Sequence, residues 1–215
     1  YEILTCDWSS DVCSSDLAAA KEIVEFQHYF AARMDERREE PRDDILSKVV
    51  NASIDGEKPL DYSECLSMLS QILVAGNETT AASLTEGIWL LIKNPDQYEI
   101  LRSDPSPERI SGLVEEVLRV SSPSANMFRR AARDVELSGV MIPKDSVCFA
   151  RFASANQDET HFEEAMRFDI LRPNAREHLA FGKGIHHCLG ANLARREMNV
   201  GFRVLLERLD NFRLQ

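Results

Sequence analysis

Phe181-Gly182-Lys183-Gly184-Ile185-His186-His187-Cys188-Leu189-Gly190 is the stretch on which the reading of this chain turns. Gly182, Gly184 and Gly190 crowd around one cysteine. Glycines this dense permit positive φ and let backbone approach a flat ligand closely. A helical pattern follows, which sets Cys188 near a helix start, where backbone N–H groups and the helix dipole favour thiolate over thiol. In that last helix Ala194, Met198, Gly201, Leu205 and Leu209 make the inner row, and Arg195, Asn199, Arg203 and Glu207 are expected to face outward.

Working outward, residues 156–179 show no sustained period and read as an irregular, charged and aromatic meander. Residues 124–155 are strand-like, with Val135, Leu137, Val140, Ile142, Val147 and Phe149 punctuated by Ser138-Gly139 and Pro143-Lys144-Asp145, so a small antiparallel sheet is expected. Ser106-Pro107-Glu108 starts a helix with the apolar stripe Ile110, Leu113, Val114, Val117 and Leu118, ended by Ser122-Pro123. On it, Glu116 and Arg119 stand at a spacing that by itself means only a weak ion pair.

A longer helix is expected over residues 61–93, ended by Asn94-Pro95. At a rise of 1.5 Å per residue it would be about 50 Å long, enough to cross a domain. Its middle, Ala75-Gly76-Asn77-Glu78-Thr79-Thr80, is polar where such a helix should be most apolar, a local conflict that points to function. Further upstream, Asp43 or Asp44 can cap a short helix over residues 45–50, residues 54–59 read as an exposed turn, and residues 18–38 as a helix carrying Ile23, Phe26, Phe30 and Met34.

The composition, 44% hydrophobic and 28% charged, can bury a substantial core, and the net charge of −11 argues against a nucleic-acid partner. No apolar run reaches the length of a membrane span. Asp7-Trp8-Ser9-Ser10-Asp11-Val12-Cys13-Ser14-Ser15-Asp16-Leu17 has no hydrophobic period and back-translates to one frame of a common sequencing-library adapter. Residues 1–17 are therefore expected to be a non-native, disordered leader, with residues 18–215 the natural domain. Without it, Cys65, Cys148 and Cys188 remain, at spacings that suggest no disulfide framework and fit a reducing cytoplasm.

A cysteine so placed could be a buried structural residue, a nucleophile with His186 or His187 as base, a zinc ligand or a haem ligand. Zinc fails, because no second close pair of Cys or His completes four-coordination. The nucleophile stays open on spacing alone, which leaves a hydrolase or transferase as the competing function. A non-enzymatic helical fragment is the third possibility, and it would have no ordered pocket between Thr79 and Cys188.

The run Phe181-Gly182-x-Gly184-x-His186-x-Cys188-Leu189-Gly190, continued by Leu193-Ala194-Arg195, resembles the haem-binding signature of cytochromes P450 of the soluble bacterial type. The resemblance implies that Cys188 is the proximal ligand of haem b and its metal contact, with Phe181 and Gly182 beside the sulfur and His186 at a haem propionate. Arg129, with Arg130 as fallback, and His178 match the family's other propionate positions. Ala75-Gly76-Asn77-Glu78-Thr79 is similar to the oxygen-activation motif, in which Glu78 and Thr79 are the catalytic acid–alcohol pair and Gly76 leaves room for oxygen. Cleaving dioxygen heterolytically needs two protons, which a carboxylate and a hydroxyl can deliver. Glu116 and Arg119 resemble the Glu-x-x-Arg motif, with Arg172, or failing it Arg167, as structural third member.

The implied fold is mainly α with a small antiparallel β-sheet, the cytochrome P450 fold truncated at the N-terminus and slightly at the C-terminus. The implied activity is that of a monomeric, cytoplasmic, dioxygen-dependent monooxygenase acting on a small organic substrate, with no membrane contact. Electrons would come indirectly from NAD(P)H through a ferredoxin-like or flavodoxin-like donor, docked near Lys183, Arg176 and Arg196.

Overall fold

The computed structural model describes residues 11–53 and 59–209. The first ten residues of the leader and residues 54–58 of the expected turn lie outside the described residues. Two compact units are present, Tyr1–Val74 and Ala75–Gln215, and each is considered by itself.

In the first unit, α1 (Asp11–Glu39) packs on α2 (Ile45–Val50). The helix begins seven residues before the start expected at Ala18, so the end of the adapter-like segment is helical rather than disordered; no Gly or Pro interrupts it. Asp44 caps α2, its carboxylate accepting from the Ser47 N–H at 2.7 Å. That bond and the Arg37 guanidinium at 2.7 Å hold the Asp44 carboxyl at about 2. The core here is Met34, Val49 and Val50 with Cys65 and Leu69 of α3 (Tyr62–Lys93). A reciprocal cap opens α3: Asp61 accepts from the Glu64 N–H and Glu64 from the Asp61 N–H, each at 2.9 Å.

The second unit is built on α4 (Pro95–Ser103), α5 (Pro107–Ser121) and α7 (Ala191–Arg208), with the C-terminal part of α3. Leu90, Leu91, Leu101, Ile110, Leu113, Val114, Val117 and Leu118 pack there against Phe168 and Ile170 of the meander and Met198 and Phe202 of α7. Glycine decides how closely these elements approach. A Cβ at Gly112 would stand 2.5 Å from the Ile170 carbonyl oxygen, and one at Gly87 would stand 2.3 Å from the Phe202 ring. Ser106 occupies the N-cap of α5, but its side chain makes no cap bond; Pro107 at the first helical position, with no N–H to satisfy, makes the start. Ser122 ends α5 in the left-handed region, φ 43°.

The strand region forms two separate two-stranded antiparallel sheets rather than one. β1 (Asn126–Arg130) pairs with β4 (Val147–Arg151), bringing Phe128 opposite Phe149 with ring centroids 4.4 Å apart. β2 (Val135–Leu137) and β3 (Val140–Ile142) form the hairpin turned by Ser138 and Gly139, both at positive φ. The short α6 (Phe152–Ala155) follows and hands the chain to the meander.

Candidate functional site

The cysteine loop is a closed turn. The Cys188 N–H donates to the Phe181 carbonyl at 2.9 Å, and the His187 N–H to Gly184 at 3.0 Å. Between them Gly184–His186 makes one 3₁₀ turn, and Gly182 and Gly184 sit at φ 66° and 76°, where a side chain would be strained. Cys188 precedes α7, the Ala191 N–H reaching the Cys188 carbonyl at 3.3 Å. Its thiol is free and exposed. Ile185 and Leu189 are 97% and 93% exposed. Two aliphatic side chains left open beside a thiol suit a large apolar ligand that would cover them, which is how the residues present fit a haem.

Within the second unit, Ala75, Gly76 and Glu78 are exposed and Thr79 is half-buried on α3. The Thr79 hydroxyl donates to the Ala75 carbonyl at 2.9 Å, and the Ser83 hydroxyl to the Thr79 carbonyl at 2.8 Å. The Thr79 hydroxyl thus bonds back to the preceding turn, and α3 continues unbroken through it. A Cβ at Gly76 would meet nothing within 4 Å. With its proton on Ala75, the Thr79 oxygen keeps its lone pairs as acceptors.

Arg129 lies exposed on β1, one guanidinium donor on the Phe128 carbonyl at 2.7 Å. His186 is exposed at the end of the 3₁₀ turn, with no hydrogen-bond partner among the described residues. Lys183, Arg176 and Arg196 are exposed as well. Ala125 is exposed just ahead of β1, and Asn126 and Met127 are exposed at its start.

His178 is placed differently from its expected propionate role. It is buried, its Nε2 3.1 Å from Glu115, and its Nδ1 accepts from the Ala180 N–H at 3.1 Å. With Nδ1 accepting, Nε2 carries the proton and donates to the carboxylate, so both ring nitrogens are already engaged within the chain. Arg195 also departs from expectation. Helical periodicity put it on the outer face, but its guanidinium forks onto Glu115 at 2.7 and 3.1 Å and lies 4.6 Å from the centre of the Phe181 ring. Arg176 approaches the same carboxylate at 3.8 Å. Neither Glu115 nor this pairing was apparent from spacing; two adjacent acids interrupting an apolar stripe were the available signal.

Burial alone would push the Glu115 carboxyl up, but hydrogen bonds from His178 and Arg195 and the attached charge hold it at about 2, below the ordinary 4.5. A depressed folded-state pKa stabilises above the unfolded value and loses that contribution as pH falls through the folded one. The stability deficit of Glu115→Gln relative to wild type is therefore expected to be largest near neutrality and to narrow between about pH 4.5 and 2. Urea midpoints of the two proteins at several pH values check this; a deficit independent of pH would contradict it.

Glu116 and Arg119 form a second buried cluster. Arg119 forks onto Glu116 at 2.8 and 2.8 Å and donates to the Asn156, Ala165 and Arg167 carbonyls at 2.7, 2.8 and 3.1 Å. Arg172 reaches Glu116 at 3.2 Å, whereas Arg167 pairs with Glu164 at the surface. Arg172 is thus the third member. Asn156, buried and unforeseen, joins Ser122 at the end of α5 to the Leu179 N–H ahead of the cysteine loop at 2.8 and 2.6 Å.

No histidine lies within hydrogen-bonding reach of the Cys188 sulfur among the described residues, so a base–nucleophile pair is not formed. Among the same residues no group of three or more His, Cys, Asp or Glu could hold a metal ion, and no helix is long and apolar enough to cross a membrane.

The family model described as Cytochrome P450 matches residues 110–215. Cytochrome P450 107B1 of Saccharopolyspora erythraea is 39% identical over 198 residues, which cover 92% of this chain and 48% of that protein. The 6-deoxyerythronolide B hydroxylase of the same organism is 36% identical over 208 residues, 94% of this chain and 50% of that one. Among solved structures, cytochrome P450 CYP109Q5 from Chondromyces apiculatus matches with a TM-score of 0.83 at 42% identity, covering 89% of this chain and 48% of its own. The chain spans about half the length of the curated relatives it matches. The mainly helical fold with small antiparallel sheets agrees with these matches, and the chain belongs to the cytochrome P450 family.

Proposed function

We propose that the protein to which this chain belongs is a haem-thiolate monooxygenase that inserts one oxygen atom of dioxygen into a small organic substrate. The observation that carries the reading is the exposed, unpaired Cys188 thiol on a loop closed by its own N–H, beside uncovered Ile185 and Leu189. Haem b, when bound, supplies the activation of dioxygen. Cys188 would give the thiolate ligand, and Arg129 and His186 the donors for the propionates. Glu78 would take up protons from water, and the Thr79 oxygen, its own proton on the Ala75 carbonyl, would accept a hydrogen bond from a proton-carrying water. Ala75 and Gly76, small and exposed, would leave room for the bound group and dioxygen. Lys183, Arg176 and Arg196 offer the positive charge on which an acidic ferredoxin-like or flavodoxin-like donor, itself reduced from NAD(P)H, could dock. A monomeric protein in the cytoplasm fits this scheme.

Full-length protein supplied with haem, a reducing partner, isotopically labelled dioxygen and a panel of small lipophilic compounds tests the reaction class. One labelled oxygen atom in the product is expected; oxygen drawn only from water would point to a hydrolase. Thr79→Ala in the same assay is expected to lower turnover by about 10²-fold with haem uptake unchanged. Wild-type turnover in that variant would remove Thr79 from the proton path.

A further inference from the structure

Glu115 itself has no part in the roles assigned above. We infer that Glu115 is a positioning residue for the cysteine loop, clamping His178 at the loop's entry to Arg195 on the helix at its exit. The inference rests on the haem-thiolate reading, because it assigns to the clamp the task of holding the ligand cysteine in place.

Residues 183–190 are all exposed, so the loop has little packing of its own to fix it. Its geometry must then be set at its ends. At the entry, His178 Nε2 bonds Glu115 at 3.1 Å, while its Nδ1 accepts from the Ala180 N–H. At the exit, Arg195 on the first turns of α7 holds both oxygens of the same carboxylate in a bidentate fork. Arg195 also stacks on Phe181, and the Phe181 carbonyl receives the Cys188 N–H. One carboxylate thus ties the segment before the cysteine to the helix after it and, through the Phe181 ring, to the cysteine backbone itself. Glu116, the next residue, faces a different partner set, Arg119 on α5 itself and Arg172 in the meander. Adjacent acids on α5 therefore serve separate ends, one the cysteine loop and one the core behind it. A buried polar network is a poor way to gain stability alone, since apolar residues of like volume do as well. Fixing one geometry is what such a network does better.

Amide hydrogen exchange on the full chain, with urea unfolding in parallel, tests the clamp in Glu115→Ala, Glu115→Gln and Arg195→Lys. The Cys188 N–H is expected to exchange about tenfold faster in Glu115→Ala, beyond any change in the core amides of α5. Glu115→Gln, which keeps one acceptor oxygen but loses the other and the charge, is expected to fall between it and wild type. After haem loading and reduction, carbon monoxide should give Glu115→Ala a smaller share of the thiolate-type Soret band than wild type. Loop exchange that is unchanged, or that rises only by the factor seen in α5, would overturn the clamp. If Glu115→Ala does not fold, Arg195→Lys decides by the same comparison, because lysine cannot fork or stack as arginine does. Failure of wild type to take up haem would sink the haem-thiolate reading and leave the exchange comparison standing. Wild-type loop exchange in a variant that still shows the thiolate band would sink the clamp alone.

Discussion

Arg119→Ala is expected to lower the unfolding free energy by about 3–5 kcal/mol, the cost of removing one partner from a buried ion pair. Arg119 and Glu116 side chains are both 0% exposed. Removing the guanidinium leaves the Glu116 carboxylate with only Arg172 and the Asp169 N–H, and strips the Asn156, Ala165 and Arg167 carbonyls of a donor. The Arg167 carbonyl keeps the Arg172 guanidinium at 2.9 Å, but the buried Asn156 and Ala165 carbonyls are orphaned, and each adds to the penalty. The guanidinium also lies 5.2 Å from the Phe162 ring centre, so packing is lost with the charge. Arg119→Lys should recover only part of the loss, because an ammonium cannot fork onto a carboxylate and reach three carbonyls together. Urea denaturation of the two variants measures this. A change within about 1 kcal/mol, the range of an exposed pair at this spacing, would mean that the cluster does not hold the meander to α5.

The contrast between these pairs shows what a sequence can reveal of such a fold. Periodicity located α3, α5 and α7 well, because each buries a stripe that is visible within its own residues. Capping chemistry located α2, where Asp44 sits directly ahead of the apolar run. Local glycine density marked the cysteine loop, and Gly182 and Gly184 do adopt positive φ. What spacing could not show depends on partners far along the chain. Glu116 and Arg119 looked like a weak surface pair until three carbonyls of the meander and Arg172 closed over them. Arg195 fell on the outer row of α7 by count, yet a carboxylate on α5 turns its long side chain inward. The same carboxylate engages His178, which motif order alone had placed at a haem propionate. The strand pattern gave the strands but not their grouping, since nothing in alternation says whether β1 pairs with β2 or with β4.

Replacement of Cys188 should have the largest functional effect. The sulfur is the one thiolate donor that the loop presents, and serine of nearly the same size offers an alcohol far too basic to ionise near neutral pH. The backbone turn does not depend on the sulfur, since the Cys188 N–H and carbonyl make its bonds. Cys188→Ser is therefore expected to keep the fold of the loop and its stability to within about 0.5 kcal/mol, as an exposed substitution does, while losing the ligand. Cys65 is buried and Cys148 half-buried on β4, so neither is placed to substitute for it.

The decisive measurement is the absorption spectrum of the haem-loaded, dithionite-reduced protein before and after carbon monoxide, wild type beside Cys188→Ser. A strongly red-shifted, thiolate-type Soret band in wild type that is absent from Cys188→Ser is the predicted result. Haem uptake with the same band in both proteins, or no haem uptake by wild-type full-length protein, would contradict the assignment of Cys188 as the iron ligand.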